Sequence, residues 1–447
     1  MKRLFHSSLT GWGLGKKTEA EVRLPLSQGE AAERLETRGE KITRGLGRSY
    51  GDPSLQREVI SSLGLNRFLS WNESRAELVC EAGVLLEEIL RHFVPRGFLL
   101  PVLPGTKWVT VGGAVSSDVH GKSHHRDGSF SRWVNWIDLL LPSGETVRIS
   151  KTVRREWFRA VCGGMGLLGV ILAVSLKLKK IETSFFWQRT YRADSLAELT
   201  ALFEKHSGAP YSVAWIDTAA PGKKRGRGFL TTGYPAARKD LPHGREPLPI
   251  HRPPRFVFPF LLPSGLLSAP LLRSLIFGYE HLPRPGDTPT LVHYDPFFFP
   301  LDGIHFWNRA YGKKGFVQHQ CLIPKKESQA ALDQILALCQ SEGFPSFVTV
   351  LKLFGPGNEN LLSFPREGFT LCLDFPFNER LRPFLKKLDA VVVRHGGRLY
   401  LAKDAVMSRQ TFRAGYPNWE KFVRLKKKLD PLNRFSSLQS ERLGLTI

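Results

Sequence analysis

The strongest structural signal in this chain is a glycine-rich run, Arg44-Gly45-Leu46-Gly47-Arg48-Ser49-Tyr50-Gly51-Asp52. Glycine adopts positive φ angles readily and lets backbone N–H groups approach an anion without a Cβ in the way. Because two arginines stand in the same run, the pattern predicts a loop that binds phosphate, and a pyrophosphate is the natural occupant. The spacing G-x-G-x-x-x-G excludes the Rossmann fingerprint, and no Gly-Lys-Ser/Thr ends the run as it would in a P-loop.

Three further glycine-rich segments follow within the first 171 residues. A plain turn would account for one such run standing alone. Four of them predict an extended ligand lying between two subdomains, which suits a dinucleotide better than a mononucleotide. The three segments are residues 104–114 (PGTKWVTVGGA), 118–125 (DVHGKSHH) and 163–171 (GGMGLLGVI).

The composition is that of a globular protein with a strong positive charge. The 447 residues are enough for two domains with cores of their own, and 42% hydrophobic residues argue against disorder. The net charge of +23 favours an anionic partner: a phosphorylated substrate, a nucleic acid or an anionic membrane surface. Zinc-finger, basic-heptad and RNA-recognition signatures are missing from the sequence, so we expect no nucleic acid. Solvated surface lysines and arginines without a partner are the alternative.

Cysteine usage and the N-terminus bear on the cellular compartment. The five cysteines are odd in number and lack metal-binding spacing, so we expect reduced thiols and no metal site. The first eight residues are basic but lack the apolar core of a signal peptide, and no apolar run reaches the ~18 residues of a spanning helix. We therefore expect a cytoplasmic protein, peripheral at the membrane, with the periplasmic side left open.

The order of the glycine-rich segments resembles that of one flavoprotein family. The first loop, P-G-T…V-G-G-A, H-G-K-x-H-H and G-G-x-G-L-x-G follow one another as in the FAD-binding domain of the vanillyl-alcohol-oxidase type. The resemblance continues over nearly the full chain and is strongest for the branch that oxidises polyprenyl-phosphoryl riboses. Its later motifs are WNRAYG (307–312), KLFGP (352–356), LSFP (362–365), CLDFP (372–376) and GRLYLAKD (397–404).

The resemblance implies an α+β fold in which a two-subdomain FAD-binding domain is joined to a substrate domain built on an antiparallel sheet. The FAD-binding domain would comprise residues 1–183 and the substrate domain residues 184–398, after which residues 399–447 return to the FAD-binding domain. Residue patterns predict helices at about 27–38 and 85–93, and a basic C-terminal helix that carries Lys426, Lys427 and Lys428. Strands are predicted at residues 42–44, 77–81, 136–141, 170–178, 185–191, 211–217, 315–323, 347–354 and 400–404.

Residues 221–284 break the pattern of the substrate domain. Basic residues are frequent up to position 255, and the apolar stretch that follows has prolines at 259, 263 and 270, which forbid a spanning helix. A basic flank beside a kinked apolar loop predicts an interfacial anchor on an anionic membrane surface. An insertion packed on the core is the alternative. The basic residues are Lys223, Lys224, Arg225, Arg227, Arg238, Lys239, Arg245, Arg252 and Arg255.

The resemblance implies FAD as the cofactor. Related flavoproteins often attach the flavin covalently through a histidine at the position of Tyr50, so a tyrosine there implies that FAD is bound without a covalent link. The residues implied to contact FAD are Arg44, Gly45, Leu46, Gly47, Arg48, Ser49, Tyr50, Gly51, Asp52, Gly105, Thr106, Thr110, Val111, Gly112, Gly113, Ser117, His120, Gly121, Ile171 and Tyr400.

The implied catalytic residues are Lys403, His120 and Tyr50. A flavin oxidoreductase needs a base for the hydroxyl proton and positive charge near the flavin. The resemblance places Lys403 against the flavin, either as that charge or as a hydrogen-bond partner of the substrate hydroxyl; a simple ion pair with Asp404 is the alternative. His120 would serve as base or as orienting donor.

A second set of residues is implied to line the substrate cleft. Lys122 and Lys352 suit the charge of a phosphodiester, Trp215 offers a flat apolar wall, and the Cys372 thiol is expected to be a spectator. Two positions depart from the family pattern, since Thr370 replaces an amide and His319 replaces a tyrosine. The full set is Lys122, Trp215, Tyr311, Gln318, Gln320, Lys352, Cys372 and Asp374.

The implied reaction is the FAD-dependent oxidation of the 2′-hydroxyl of a polyprenyl-phosphoryl-β-D-ribose to a 2′-keto sugar. A separate NAD(P)H-dependent short-chain reductase would then complete an epimerisation to the arabinose donor for a cell-envelope polysaccharide. An oxidase or dehydrogenase of a free alditol or sugar lactone is the alternative, although a soluble sugar does not require the basic, apolar segment. A basic scaffold or nucleic-acid binder that kept a flavin fold is a third, non-enzymatic hypothesis.

Overall fold

The computed structural model describes residues 4–33, 35, 39–254, 256–282 and 288–446, so Arg255 lies outside the described residues. The N-terminal part of the chain, up to residue 180, alternates short strands with short helices. Its strands are β1 (Leu4–Thr10), β2 (Lys17–Arg23), β3 (Lys41–Arg44), β4 (Glu58–Ser61), β5 (Phe68–Asn72), β6 (Glu77–Glu81), β7 (Phe98–Leu99), β8 (Val134–Leu140), β9 (Thr146–Ser150), β10 (Val170–Lys177) and β11 (Lys179–Lys180). Its helices are α1 (Gln28–Glu33), α2 (Leu86–Phe93), α3 (Val111–Ser116), α4 (His124–Asp127) and α5 (Arg155–Val161).

Two separate sheets organise this part into the two predicted subdomains. The first has the strand order β1-β2-β4-β3, with β2 and β3 both parallel to β4. The second is antiparallel, with the order β5-β6-β10-β8-β9. Strand β10 is buried from Val170 to Leu176, which explains why it reads as a continuous apolar run. The glycine-rich run begins at Arg44, where β3 ends.

The remainder of the chain builds one large antiparallel sheet and then returns to the first sheet. The strands are β12 (Phe185–Ala193), β13 (Tyr211–Ile216), β14 (Gly228–Pro235), β15 (Phe256–Val257), β16 (Thr290–His293), β17 (Ile304–His305), β18 (Phe316–Pro324), β19 (Thr349–Phe354), β20 (Gly368–Pro376) and β21 (Arg398–Leu399). The helices are α6 (Leu196–Lys205), α7 (Ala269–His281), α8 (Tyr294–Phe298), α9 (Ser328–Ser341), α10 (Leu381–Arg394), α11 (Arg409–Gly415), α12 (Trp419–Leu429) and α13 (Leu438–Leu443).

The large sheet has eight strands in the order β16-β12-β14-β13-β19-β20-β18-β21. Helices α9 and α10 pack against each other and against β18, and their apolar residues join the core. After β21 the chain meets the first sheet again, because the Lys41 N–H donates to the carbonyl of Arg434 at 2.7 Å. These sheets and helices confirm the α+β class. They also confirm that an N-terminal part with two subdomains is joined to a part built on an antiparallel sheet.

Two sequence expectations were wrong. Residues 221–284 are not one continuous loop, because β14 lies within them, between β12 and β13 in the large sheet, and α7 follows. The β-prone residues of β14 were hidden by the basic residues on both sides. Residues 400–404 form a turn rather than a strand, since the N–H groups of Lys403 and Asp404 both donate to the carbonyl of Tyr400 at 2.9 Å.

Two of the predicted helices show how local sequence signals worked. Ser27 caps α1, as predicted, by accepting from the N–H of Glu30 at 3.2 Å; the predicted continuation to residue 38 runs into residues outside the described set. The basic C-terminal helix is α12, but Lys426 is buried in an ion pair with Asp430 at 2.8 Å and does not belong to the basic surface. Over the described ranges, no helix has the length and apolar character needed to cross a bilayer.

Candidate active site

One open cavity is lined jointly by the N-terminal loops and by one face of the eight-stranded sheet. Because both parts of the chain contribute to its walls, a ligand bound there would contact the glycine-rich loops and the sheet together. The sequence-predicted residues found in its walls are Gly45, Leu46, Gly47, Arg48, Ser49, Tyr50, Gly105, Thr106, Thr110, Gly112, Gly113, Ser117, His120, Ile171, Gln318, Gln320, Lys352, Cys372, Tyr400 and Lys403.

The cofactor half of the cavity is made chiefly of backbone that only glycine permits. A Cβ on Gly45 would collide with the hydroxyl of Thr110, which caps α3 by accepting from the N–H of Gly113 at 3.1 Å. Gly47 has a φ of +64°, and a Cβ there would collide with the guanidinium of Arg44. Such close backbone approach along an open wall is what a pyrophosphate requires, and these residues therefore fit FAD.

Three predicted contact residues of this loop lie behind the wall and support it. The Arg44 guanidinium donates to the carbonyl of Thr10 at 2.6 Å and to the hydroxyl of Ser54 at 3.1 Å, and burial lowers its pKa to about 10. Asp52 pairs with Arg442 at 2.7 Å. Gly51 packs so closely on the carbonyl of Asp404 that a Cβ would collide with it.

Asp404 completes the same support. Its carboxylate pairs with Arg442 at 2.9 Å and also accepts from the backbone N–H groups of Val406 and Met407. The partner proposed for it as an alternative, Lys403, is instead directed at Tyr50. Asp404 therefore joins the phosphate loop to the C-terminal return.

Two more predicted FAD contacts, Val111 and Gly121, do not reach the cavity. Val111 is fully buried in the core at the first position of α3. Gly121 packs against the backbone of Leu103, where a Cβ would collide with the carbonyl oxygen. Both residues lie beside wall residues in the sequence, so motif matching alone did not distinguish them.

Lys403 and Tyr50 meet at the junction of the two halves. The ammonium of Lys403 lies 3.7 Å from the centroid of the Tyr50 ring. Burial lowers the pKa of Lys403 to about 8, although Cys372 and Asp374 act in the opposite direction. Burial and the nearby Asp374 raise the pKa of the Tyr50 phenol well above its usual value, so this ring stays protonated. Of these two side chains, Lys403 is therefore the one that changes charge near neutral pH.

His120 is held in an aromatic surround. The ring centroids of Phe354, Phe364 and Tyr400 lie 4.8, 5.5 and 5.0 Å from that of its imidazole. Its Nε2 lies 3.0 Å from Nε2 of Gln320, whereas Nδ1 is buried and has no hydrogen-bond partner among the described residues. Burial, with a further contribution from Lys352, lowers the pKa of His120 well below its usual value, so the ring is neutral.

The substrate half of the cavity is made of side chains on three adjacent strands. Residues two apart on a strand face the same side, and the register pairs Gln320 with Cys372 and Lys352 with Thr370. Gln318 lies one repeat along β18 and donates to Asp374, which is buried behind it and whose pKa burial raises to about 7. His319 faces the other side of the sheet and contacts Asp389 at 3.0 Å, so its departure from the family pattern does not touch the cavity.

Three predicted substrate residues lie outside the cavity walls. Lys122 donates to the carbonyl of Phe297 and covers its ring at 4.7 Å, and burial lowers its pKa to about 7. The Trp215 indole donates to the carbonyl of Phe347 at 3.0 Å. Tyr311 stacks on Phe316 at 4.1 Å. With Asp374, these residues surround the walls rather than form them, and their roles toward substrate stay predictions.

Sequence reasoning missed an acidic residue that joins the two halves. The Asp118 carboxylate accepts from Asn358 at 2.7 Å, from Asn360 at 3.0 Å and from Ser363 at 2.6 Å. It also accepts from the hydroxyl of Ser129 and from the backbone N–H of Ser131 at 3.0 Å. Its φ of +40° is a value that side-chain-bearing residues seldom adopt. A signal was present, since an aspartate two residues before His120 stands inside a matched motif.

Wall residues near the cavity mouth were also missed. Trp12, Asp302 and Trp307 line the cavity, and the Arg48 guanidinium covers the Trp12 ring at 3.9 Å. Asp302 is fixed by the backbone N–H of Lys107 at 2.9 Å. Trp12 is far in the sequence from Asp302 and Trp307, so only the fold shows that they meet.

Comparison with known proteins agrees with this division of the chain. Residues 31–150 match the FAD binding domain family, and residues 322–443 match the D-arabinono-1,4-lactone oxidase family. The chain is 37% identical to decaprenylphosphoryl-beta-D-ribose oxidase of Mycolicibacterium smegmatis, over 98% of this chain and 97% of the relative. The chain belongs to the decaprenylphosphoryl-beta-D-ribose oxidase family. Membership confirms an FAD-dependent oxidoreductase that acts on a CH–OH group.

Two more distant relatives show how the identity and the coverage of the match change outside this family. L-gulonolactone oxidase of Mus musculus is 24% identical over 94% of each chain. D-lactate dehydrogenase of Anaerostipes hadrus is 29% identical over 27% of this chain and 26% of its own length. The identity to decaprenylphosphoryl-beta-D-ribose oxidase is higher than to these two relatives, and of the two only the match to D-lactate dehydrogenase is confined to a small part of the chain.

Proposed function

We propose that this chain oxidises the 2′-hydroxyl of a polyprenyl-phosphoryl-β-D-ribose to the 2′-keto sugar. The observation that carries the proposal is the composition of the cavity, in which a glycine cradle for a dinucleotide faces a wall of polar and cationic side chains. The name of the 37% identical relative gives the substrate class. When bound, FAD supplies the acceptor for the hydride that leaves the carbinol carbon.

We propose that Lys403 accepts the hydroxyl proton. With a pKa of about 8, a substantial fraction of Lys403 is the neutral amine in mildly alkaline solution, and the amine has a lone pair for the proton. The ammonium that forms keeps a positive charge in the cavity as the hydride departs, which stabilises the negative charge that develops there. The Tyr50 ring, 3.7 Å away, fixes the position of this side chain.

We propose that Lys352 binds the phosphodiester. Its side chain lines the cavity, and the described residues provide no carboxylate or hydrogen-bond acceptor for its ammonium. A buried cation without a counter-ion is costly, and an anionic ligand offsets that cost. Burial lowers the pKa of Lys352, and the same charge contributes to the lowered pKa values of Lys122, His120 and Lys403.

The lipid part of the substrate places the reaction at a membrane surface. Exposed apolar side chains are frequent at residues 256–282 and 288–304, and Phe256 pairs with Ile304 across β15 and β17. We propose that these side chains act as one apolar face, defined as Phe256, Val257, Phe260, Leu266, Phe277 and Ile304. Exposed cations flank it at Arg273, Lys313 and Lys314, and the backbone N–H of Lys314 bonds Ser264 at 3.1 Å. Exposed phenylalanines beside cations match the acyl boundary and phosphates of an anionic bilayer.

The apolar face also continues toward the cavity. Leu267 packs on the cluster of Tyr50, Tyr311 and Phe316, and Tyr50 itself lines the cavity. A polyprenyl chain would therefore make apolar contacts from the sugar site to the bilayer.

The keto sugar formed then requires hydride return by a separate reductase, and we propose an NAD(P)H-dependent short-chain enzyme as that partner.

Anaerobic titration with decaprenyl-phosphoryl ribose tests the reaction. We expect the flavin absorbance to bleach with this lipid and to persist with L-gulono-1,4-lactone or xylitol. Bleaching by the lactone or the alditol but not by the lipid would establish the alternative, which the match to the lactone oxidase family favours. Precipitation with trichloroacetic acid tests the non-covalent link, because FAD should remain in the supernatant.

Sedimentation with liposomes tests the membrane surface. The protein should co-sediment with vesicles containing phosphatidylglycerol at low salt, and less at high salt. Replacing Phe260 and Phe277, each 63% exposed, with serine should abolish sedimentation. Leu432→Ser is the matched control, since Leu432 is 71% exposed on the C-terminal return. Equal sedimentation of all three proteins would contradict the assignment of this face.

A further inference from the structure

A short chain of hydrogen bonds runs from the sheet backbone to the His120 ring. The hydroxyl of Thr370 donates to the carbonyl of Cys321 at 2.9 Å. Nε2 of Gln320 lies 3.1 Å from the Thr370 hydroxyl oxygen and 3.0 Å from Nε2 of His120. The side chains of His120, Gln320 and Thr370 are all buried and all line the cavity.

The number of protons in this chain fixes its direction. A threonine hydroxyl has one proton, and Thr370 uses it on the Cys321 carbonyl, so its oxygen only accepts from Gln320. The amide nitrogen of Gln320, rather than its oxygen, must then face Thr370. Its second proton is directed at Nε2 of His120, which must accept it.

We propose that Thr370 is a positioning residue that sets the tautomer of His120, with the proton on Nδ1. His120 is neutral, so a ring nitrogen that accepts leaves the other one protonated. Nδ1 is buried, has no hydrogen-bond partner among the described residues and belongs to a residue in the cavity wall. This N–H therefore lies within the aromatic surround of Phe354, Phe364 and Tyr400.

The sequence left two roles open for His120, base or orienting donor, and the tautomer distinguishes between them. A nitrogen that accepts from Gln320 is not free to take a substrate proton, and the other nitrogen already carries one, so Lys403 is left as the proton acceptor. This division rests on the proposed function. Thr370 is also one of the two positions that depart from the family pattern, so the device belongs to this chain in particular.

Nitrogen NMR on the FAD-loaded protein, labelled with ¹⁵N-histidine, tests the tautomer directly. The long-range ¹H–¹⁵N pattern of each ring shows which nitrogen carries the proton, and a His120→Gln variant identifies the signal among the 13 histidines. We expect the Nδ1–H form in the wild type and in Thr370→Ser, which keeps the hydroxyl. Thr370→Val removes the acceptor that orients Gln320, so about half of the rings should become Nε2–H as the amide flips.

A second variant keeps the test decisive if Thr370→Val fails to fold. Gln320→Glu replaces the donor with an acceptor, so it should drive the His120 proton to Nε2. An Nε2–H ring in the wild type, or an unchanged Nδ1–H ring in folded Thr370→Val or Gln320→Glu, overturns the proposal. Because no substrate is present, the NMR result tests the tautomer whatever the outcome of the bleaching experiment.

Discussion

The two halves of the cavity are built from different materials. The cofactor half consists largely of backbone from two nearby segments, residues 43–54 and 104–120, in which glycines leave space. The substrate half consists of side chains from β18, β19 and β20 and from the turn at residues 400–403, which the fold brings together over long distances in sequence. Changes in the first half should therefore act on cofactor binding, and changes in the second on turnover.

The largest effect should come from Lys403, in the second half. Lys403→Met removes the proton acceptor and the charge, and we expect kcat to fall by about 10³-fold. FAD content should stay at the wild-type level, because the glycine cradle is unchanged. Lys427→Met, on the exposed side of α12, is the control. A loss of less than tenfold would show that Lys403 does not take the proton.

Asp118 tests whether the halves depend on each other. Asp118→Ala leaves five donors without this acceptor, three of them in buried hydrogen bonds, and we expect a loss of about 3 kcal/mol in stability together with weaker FAD binding. Asp138→Ala is the matched control, because Asp138 pairs with the exposed Arg148 at 2.8 Å and should cost less than about 1 kcal/mol. Thermal unfolding followed by flavin fluorescence measures both. Equal melting temperatures for the two variants would refute a joining role for Asp118.

The pH profile locates the proton acceptor within the second half. If the neutral amine of Lys403 takes the proton, kcat/KM should rise about tenfold per pH unit at low pH and level off above about pH 8. Asp374 raises the pKa of Lys403, so Asp374→Asn should move this break to lower pH. A profile that instead falls above about pH 8 would assign the active form to the ammonium.

A smaller effect is expected from a glycine in the first half. Gly45→Ala directs a methyl group at Thr110 and its helix cap, and such overpacking costs about 1–3 kcal/mol. FAD affinity should fall about tenfold or more, because each 1.4 kcal/mol corresponds to a factor of ten. Turnover per bound FAD should be unchanged. Gly208→Ala is the control, since nothing lies within 4 Å of its added Cβ; equal FAD affinity in both variants would argue against the cradle.

The difference between the two halves of the cavity also explains how much of the fold and the site could be predicted from the sequence. Glycine runs predicted the cradle because backbone conformation is encoded locally, and buried apolar runs such as β10 were placed within a residue. Val111 and Gly121 lie beside the walls rather than in them, because a motif does not show which of its residues face the cavity, and their contacts with FAD stay predictions. Asp118, Asp302 and Trp12 were missed, since their partners lie on segments that meet only after folding.

Trp215 should show the smallest effect and therefore marks the edge of the second half. Its indole lies outside the walls, donates to the Phe347 carbonyl at 3.0 Å and contacts the Tyr279 ring at 4.8 Å. Trp215→Phe keeps the aromatic contact and loses one hydrogen bond worth about 1 kcal/mol of stability. We expect kcat/KM for the lipid-linked ribose to stay within about twofold of wild type, because an interaction within the protein that does not touch substrate is made equally in the free enzyme and in the transition state. A larger loss in kcat/KM, with the melting temperature preserved, would mean that the substrate extends past the wall to Trp215, and the boundary of the substrate half would have to be redrawn there.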